Sequence, residues 1–179
     1  KYLPGFANVK VWQKEGDPVA STKPMLIRHL MSHTSGIIYS FIQPQQPISK
    51  AWVAGGEGRT DLTAKDWSEQ VVAKLPMIAE PGEAWNYSQG LDVLGGVIEK
   101  VTGQSLGDAI KARVTGPLGM TDTAFFQPAE KSARFAQSKT QDPLYYDYTA
   151  VKPFMSGGGG LSSTAEDYLR FVLMLANHG

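Results

Sequence analysis

The chain has 179 residues, 42% of them apolar, which is enough for one domain with its own core. Its 17 basic residues equal its 17 acidic residues, so it lacks the charge signature of a protein that binds nucleic acid or an anionic membrane surface. The absence of cysteine excludes disulfides, thiolate metal sites and cysteine nucleophiles, and no apolar run reaches the roughly 18 residues of a membrane-spanning helix.

The first third of the chain predicts an edge strand, a short helix and a long loop. The alternating run at 9–12 favours the strand. Apolar residues at helical spacing predict the helix over 24–32, with Ser21 or Thr22 as its cap. Residues 37–61 are rich in Gln, Pro and Gly, which favours an irregular loop of the kind that is usually functional or mobile.

The middle of the chain predicts two helices. Thr63 and Asp66 form a capping box for the first helix, which Pro76 ends. The second helix begins near Ser88 and ends at Gly103. The predicted apolar faces consist of Trp67, Val71 and Leu75 on the first helix, and of Leu91, Leu94, Gly95, Ile98 and Val101 on the second.

The last third predicts two more helices with mixed structure between them. Ser105 and Asp108 cap one helix, and Thr164 and Asp167 cap the last. Residues 123–126 favour a short strand. The remaining features are a tyrosine cluster, at Tyr145, Tyr146 and Tyr148, and the apolar face of the last helix, at Tyr168, Phe171, Val172 and Leu175.

Four consecutive glycines at 157–160 suggest either a phosphate-binding loop or a close approach of backbones. A P-loop continues with Lys and Ser or Thr, whereas Leu161 and Ser162 follow here. A dinucleotide-binding motif needs a preceding strand and an acidic residue about 20 positions later, and the chain ends before that. A close backbone approach or a flexible loop is therefore the favoured interpretation.

The residues of a serine nucleophile or a metal site are incomplete. No serine has lysine three positions later, the spacing that places both on one helix face, and Ser21 and Lys23 are only two apart. No G-x-S-x-G elbow is present either. His29 and His33 share a helix face, as in zinc-binding helices, but no acidic residue follows His29 and no third ligand is suggested. We therefore predict no metal and no other cofactor.

A family resemblance rests on four segments that occur in order along the chain. They are residues 23–36 (KPMLIRHLMSHTSG), 81–88 (PGEAWNYS), 91–95 with 116–123 (LDVLG and GPLGMTDT), and 156–168 (SGGGGLSSTAEDY). As a set they resemble the serine β-lactamase and penicillin-binding-protein superfamily, most closely its family VIII carboxylesterases. The matches cover most of the chain.

The resemblance implies an α+β fold of the serine β-lactamase/transpeptidase type. Residues 1–179 are expected to form a single domain that holds the mainly helical portion, with most of the antiparallel sheet missing. The resemblance makes Tyr87 the general base of a Y-x-N-like motif and places Gln89 at the family's Asn position. The nucleophilic Ser and its Lys, in S-x-x-K, are expected upstream of Lys1, and a K-T-G or H-x-G strand is expected after Gly179. The chain is therefore interpreted as an internal fragment.

His33 also suggests a Ser-His-Asp triad with Ser35 or Asp92, although sequence spacing does not identify triad partners. The resemblance favours another interpretation. It places His33 at the end of a helix, where its side chain satisfies backbone groups.

The implied function is that of a serine hydrolase that forms an acyl-enzyme with a small-molecule ester or lactam. Gln89, in place of Asn, favours an ester in the intact protein, and the chain alone is expected to be inactive. The alternatives are a β-lactamase or D-alanyl-D-alanine carboxypeptidase, and a non-catalytic binding module on the same scaffold. No nucleic-acid partner is expected, whereas self-association is, because truncation would expose apolar surface. The chain contains no signal peptide, and its residues leave a cytoplasmic or periplasmic location open.

Overall fold

The computed structural model describes residues 1–136 and 148–179, which form two compact units. The first unit consists of Lys1–Leu106 and Pro153–Gly159, and the second of the described residues within Gly107–Lys152 and Gly160–Gly179. Tyr145 and Tyr146 of the predicted tyrosine cluster lie outside the described residues. The single domain over 1–179 stays a prediction.

Helices dominate the described residues, as predicted. The α-helices are α1 (Ile27–Met31), α2 (Pro47–Ala54), α3 (Ala64–Gln70), α4 (Gly90–Thr102), α5 (Leu106–Ile110) and α6 (Ala165–Ala176). Short 3₁₀ segments occur at Pro4–Asn8, Ser40–Ile42, Val72–Lys74 and Ala129–Arg134, and a π-helical segment at Lys111–Thr115 follows α5.

One small sheet is present among the described residues. Strands β1 (Lys10–Val11) and β2 (Val19–Ala20) pair antiparallel, with Lys10 opposite Ala20. On the other side of β1, the backbone N–H of Met77 donates to the carbonyl of Lys10 at 2.7 Å. The predicted strand is therefore present, but it has hydrogen-bonded neighbours on both sides instead of lying at an edge.

The core of the first unit forms where α1, α3 and α4 pack against the N-terminal segment. A buried side chain of this kind stabilises the fold by about 1.5–3 kcal/mol. Helices α3 and α4 approach closely because Gly96 has no side chain: a Cβ there would lie 2.8 Å from the carbonyl oxygen of Ala64. The core residues are Leu3, Val9, Leu30, Ile37, Ile38, Ile48, Trp52, Trp67, Val71, Val72, Leu75, Met77, Val93 and Val97.

The buried face of α4 is rotated from the predicted one. Val93 lies in the core, whereas Val101, which was assigned to the apolar face, is exposed. Glu99 is buried and accepts backbone hydrogen bonds from Lys65 at 2.7 Å and from Leu106 at 3.3 Å. These donors belong to the first turns of α3 and α5, which compensates for burying the carboxylate.

The predicted loop over 37–61 contains helix α2. Pro47 stands in its first turn, where its missing N–H has no cost, and Ile48 and Trp52 are buried one turn apart. The prediction was wrong because one turn of apolar spacing, among Gln and Pro residues, is too short a signal.

Two predicted helix boundaries also differ. The cap of α1 is Leu26, because the hydroxyls of Ser21 and Thr22 donate to the carboxylate of Glu80 instead. Helix α3 ends at Gln70, before Pro76, and its predicted cap is confirmed: the hydroxyl of Thr63 accepts from the backbone N–H of Asp66 at 3.1 Å.

In the second unit, Thr164 caps the start of α6, as predicted. The hydroxyl of Thr164 accepts from the backbone N–H of Asp167 at 3.2 Å, and the buried Asp167 carboxylate accepts from the backbone of Asp122 at 2.8 Å. The predicted strand near this point is a single bridge, in which Ala124 and Ser162 exchange backbone hydrogen bonds.

Helix α6 has exposed apolar side chains. Its predicted apolar face is therefore not buried within the second unit. No helix in the described parts of the chain is both long enough and apolar enough to cross a membrane. The exposed residues are Tyr168, Leu169, Val172, Leu173 and Leu175.

Candidate active site

Tyr87 stands three residues before α4 and follows a turn at 81–83. Its neighbour Asn86 is fixed on both sides: the backbone N–H donates to the carbonyl of His33, and the side-chain amide donates to the carbonyl of Ile37, each at 2.8 Å. These bonds fix the backbone beside Tyr87, while its own side chain remains 47% exposed. The side chain of Tyr87 is therefore accessible, and the backbone next to it is fixed; its role as the general base stays a prediction.

Two aromatic rings lie against Tyr87. The His33 ring centroid is 4.8 Å from that of Tyr87, and the Tyr39 centroid is 5.4 Å away. His33 has a backbone φ of 55°, in the left-handed region that histidine adopts more readily than most residues. This conformation follows the end of α1 and places the His33 ring beside Tyr87.

His33 also contacts Ser88, but not as the base of a nucleophile. The Nδ1 atom of His33 lies 3.3 Å from the backbone N–H of Ser88 and 3.4 Å from its hydroxyl oxygen. Ser88 is only 1% exposed, and its hydroxyl accepts from the backbone N–H of Gly90 at 3.3 Å. This hydroxyl therefore supports the start of α4 and is closed to an incoming carbonyl.

The triad hypothesis for His33 finds no geometric support among the described residues. Ser35 is fully buried, with its hydroxyl 3.4 Å from the backbone N–H of Ile37. The side chain of Asp92 is hydrogen-bonded to those of Tyr39 and Ser156, whereas the His33 ring is hydrogen-bonded to Ser88. His33 satisfies backbone groups, which is the role that the family interpretation gave it.

Asp92 joins three segments at the edge of the site. Its buried carboxylate accepts hydrogen bonds from the Tyr39 hydroxyl at 3.3 Å, from the Ser156 hydroxyl, and from the backbone N–H of Gly158 at 3.2 Å. Burial, and next the charge of Asp92, raise the pKa of Tyr39, so this phenol stays protonated. The network anchors the glycine-rich loop of the first unit to α4.

The glycines of this loop allow the close approach that the sequence favoured. A Cβ on Gly157 would lie 2.3 Å from the carbonyl oxygen of Leu91, and one on Gly158 would lie 2.9 Å from the Tyr39 hydroxyl. Because real Cβ atoms do not come this close to backbone, Gly157 is required here by packing.

Gln89 points towards the segment before α3. Its amide nitrogen lies 3.5 Å from a carboxylate oxygen of Glu57, and its amide oxygen is buried with no hydrogen-bond partner among the described residues. Glu57 also accepts from the hydroxyl of the buried Ser40. The two predicted site residues thus lie together before α4, but Tyr87 contacts rings and Gln89 contacts a carboxylate.

Burial raises the pKa of Glu57, and the hydrogen bond from Ser40 opposes this only in part. A group with a raised pKa in the folded state stabilises the fold below its unfolded pKa, and this contribution is lost as the pH rises through the folded value. We therefore expect Glu57→Gln to reduce the fall in the free energy of unfolding as the pH rises above about 4.5. Urea unfolding followed by circular dichroism at several pH values measures this slope.

Glu80 provides a matched control. Hydrogen bonds from Ser21 and Thr22 lower the pKa of Glu80, so its contribution to stability is lost as the pH falls. Glu80→Gln is therefore expected to change the pH slope in the opposite direction. If the free energy of unfolding depends on pH in the same way for Glu57→Gln and the parent chain, the burial of a Glu57 carboxylate is contradicted.

The side chain of His29 stabilises the start of α1. It is buried, its Nδ1 atom accepts from the backbone N–H of Leu26 at 3.3 Å, and burial, with the charge of Arg28, lowers its pKa. Within residues 1–136 and 148–179, no group of three or more His, Asp or Glu side chains is arranged to hold a metal ion.

Sequence reasoning missed Tyr39, Glu57 and the structural role of Asp92. Asp92 could have been singled out, because a carboxylate between Leu91 and Val93 on an apolar helix needs partners. No comparable signal marks Glu57, which stands in a glycine-rich stretch 32 residues before Gln89.

The chain is similar to one protein family over its whole length and to relatives at 30–36% identity. The family described as Beta-lactamase matches residues 1–179. Protein Rv1367c of Mycobacterium tuberculosis is 36% identical over 193 residues, which cover 100% of this chain and 46% of the relative. Esterase EstB of Burkholderia gladioli is 30% identical over 200 residues, covering 92% of this chain and 48% of the relative. The chain therefore spans about half the length of the curated relatives it matches.

The fold also has solved counterparts. The structure described as EstCE1, a hydrolase with promiscuous acyltransferase activity, is similar with a TM-score of 0.71 at 26% identity, over 97% of this chain and 50% of that one. The described residues are the mainly helical portion of the β-lactamase/transpeptidase fold. The predicted resemblance and the predicted fold class are confirmed.

Proposed function

This chain belongs to the beta-lactamase family, and from that membership we propose that the whole protein hydrolyses carboxylic esters through an acyl-enzyme. Members of the family are serine hydrolases. The observation that carries the proposal is the placement of Tyr87, which is half exposed and directly follows the fixed Asn86 in the segment of family resemblance. The names of two similar proteins, an esterase and a hydrolase, support it.

The nucleophile is proposed to come from protein outside these residues, because no serine here has lysine three positions later. A phenol with a pKa near 10 is a poor base unless a cation stabilises the phenolate. The lysine of S-x-x-K would supply that cation to Tyr87. Tyr87 would then accept the serine proton as the serine oxygen attacks the ester carbonyl.

The remaining steps follow from the same groups. Two backbone N–H groups outside the chain would stabilise the tetrahedral oxyanion, and the proton held at Tyr87 would pass to the departing alkoxide. Water, deprotonated through the same phenol, would attack the acyl-enzyme and release the carboxylic acid and the free serine. Gln89, which stands at the family's Asn position, would orient the lysine or the substrate.

Two alternatives make different predictions. A β-lactamase or a D-alanyl-D-alanine carboxypeptidase would turn over a lactam or a peptide, and Gln89 in place of Asn favours the ester. A non-catalytic binding module would turn over neither substrate. Self-association also remains a proposal, which the exposed apolar side chains of α6 support.

Activity assays on two lengths of protein test the proposal. We expect a whole protein of the relatives' length to hydrolyse p-nitrophenyl acetate faster than nitrocefin, and to be labelled by a fluorophosphonate at the serine of S-x-x-K. Residues 1–179 alone should show neither reaction above buffer and albumin controls. Turnover by residues 1–179, or a whole protein that neither turns over ester nor takes the label, would contradict the proposal.

A further inference from the structure

Aromatic rings form a continuous strip on both sides of Tyr87, exposed at Tyr87 and at both ends and half-buried at His33 and Tyr39. Successive ring centroids are 6.2, 4.8, 5.4 and 5.0 Å apart, all within the range of favourable aromatic contact. The aromatic strip consists, in spatial order, of Trp85, His33, Tyr87, Tyr39 and Phe41.

The two ends of the aromatic strip are unusually exposed for their size. Trp85 is 68% exposed and Phe41 is 66% exposed, although side chains this large gain most from burial. Exposed apolar groups that form one contiguous surface indicate a binding site, whereas single ones do not. Because Tyr87 lies in the middle of the strip, a molecule that lies across the rings also contacts the candidate base.

A buried carboxylate lies beside the Tyr39 ring of the aromatic strip. The buried Asp92 carboxylate is hydrogen-bonded to the Tyr39 hydroxyl at 3.3 Å, inside the strip. Burial, and next the charge of Asp92, raise the pKa of Tyr39, so the carboxylate lies beside a neutral phenol. A ligand that carries a carboxylate next to its ring would be repelled by the charge of Asp92.

We propose that the aromatic strip binds the apolar, ring-containing part of an uncharged ester substrate, and that it discriminates against substrates with a free carboxylate. The assignment of this ligand as a substrate rests on the proposed esterase function. Binding itself requires only the rings, and the discrimination against a carboxylate requires the Asp92 carboxylate beside Tyr39. The substrate class is therefore that of neutral esters with an aryl or cycloaliphatic group, in contrast to carboxylate-bearing lactams.

A pair of matched ligands tests binding on residues 1–179. Methyl 4-(trifluoromethyl)phenylacetate and its free carboxylate share a skeleton and differ in charge, and their binding is followed by ¹⁹F relaxation in a titration at pH 7. We expect the ester to bind at least about three-fold more tightly than the carboxylate, the order of effect of one like-charge contact near the protein surface. Equal affinity, or tighter binding of the carboxylate, would overturn the charge discrimination.

Variants at the ends of the strip localise the site. Trp85→Ala and Phe41→Ala should each weaken binding of the ester by at least about three-fold. Tyr168→Ala removes an aromatic side chain that is 61% exposed but belongs to the other unit, and it should leave the affinity unchanged. If both strip variants bind the ester as the parent chain does, the strip is not the binding site.

Kinetics of the whole protein separate this inference from the proposed function. The ratio of kcat/KM for p-nitrophenyl 3-phenylpropanoate to that for p-nitrophenyl acetate should fall at least about three-fold in Trp85→Ala, mainly through KM. An active enzyme with an unchanged ratio would overturn the substrate class and leave the esterase proposal standing. A whole protein without turnover, in which the strip still binds the ester, would overturn the esterase proposal alone.

Discussion

Replacing Tyr87 with phenylalanine in the whole protein is expected to lower kcat for ester hydrolysis by about 10²- to 10⁴-fold, the contribution typical of a general base. The ring contacts with His33 and Tyr39 involve no phenolic oxygen, so the phenylalanine ring would keep the same packing. The loss should therefore appear in kcat, while KM changes little. Steady-state kinetics with p-nitrophenyl acetate measure both constants.

Tyr168→Phe is the matched control for this substitution. Tyr168 is also an exposed tyrosine, but it lies on α6 and packs against Phe171, with ring centroids 6.3 Å apart. Removing the Tyr168 hydroxyl in this variant should leave kcat unchanged. If Tyr87→Phe retains more than about a tenth of the parent kcat, Tyr87 is not the general base.

The sequence predicted the candidate base because motifs are local. The segment 81–88 could be compared with a family without knowledge of any contact, and the predicted cap Thr63 depended only on a residue three positions away. Helix α4 was also predicted with nearly correct limits, since Gly103 ends it with φ at 69°. Features of this kind are encoded within a few residues.

The surroundings of the base could not be predicted, because they join distant segments. The Asp92 carboxylate accepts hydrogen bonds from the hydroxyl of Ser156, 64 residues away in the sequence, and from that of Tyr39, 53 residues away. Glu57 approaches Gln89 across 32 residues. The spacing of apolar residues along the sequence carries no information about contacts between residues so far apart. The same limit explains the rotated face of α4, because the burial of its polar residues depends on donors from other segments.

Positions that were predicted only as core turn out to support the site. Trp67 was assigned to an apolar helix face, and it is indeed buried. Its indole N–H also donates to the carbonyl of Glu57 at 2.9 Å, and its ring packs edge-on against Phe154, 5.1 Å between centroids. Trp67 therefore connects the core both to Glu57, which contacts Gln89, and to the segment that precedes the glycine-rich loop.

Trp67→Ala is accordingly expected to cost about 3–5 kcal/mol in the free energy of unfolding, because it removes a buried indole and leaves a cavity. Domains are stable by only about 5–15 kcal/mol in total, so this variant should lose a large share of its stability and unfold at a clearly lower urea concentration. Trp67→Phe keeps most of the packing and loses the hydrogen bond to Glu57, which should cost about 1–3 kcal/mol. Urea unfolding of residues 1–179 followed by circular dichroism ranks the three proteins.

Trp85→Ala is the control, because it removes the same side chain from a position that is 68% exposed, and should change stability by less than about 0.5 kcal/mol. The contrast between Trp67 and Trp85 separates the two roles of tryptophan here: one packs in the core beside Glu57, and the other is proposed to contact the substrate. A Trp67→Ala variant as stable as Trp85→Ala would contradict the burial of the Trp67 indole in the core.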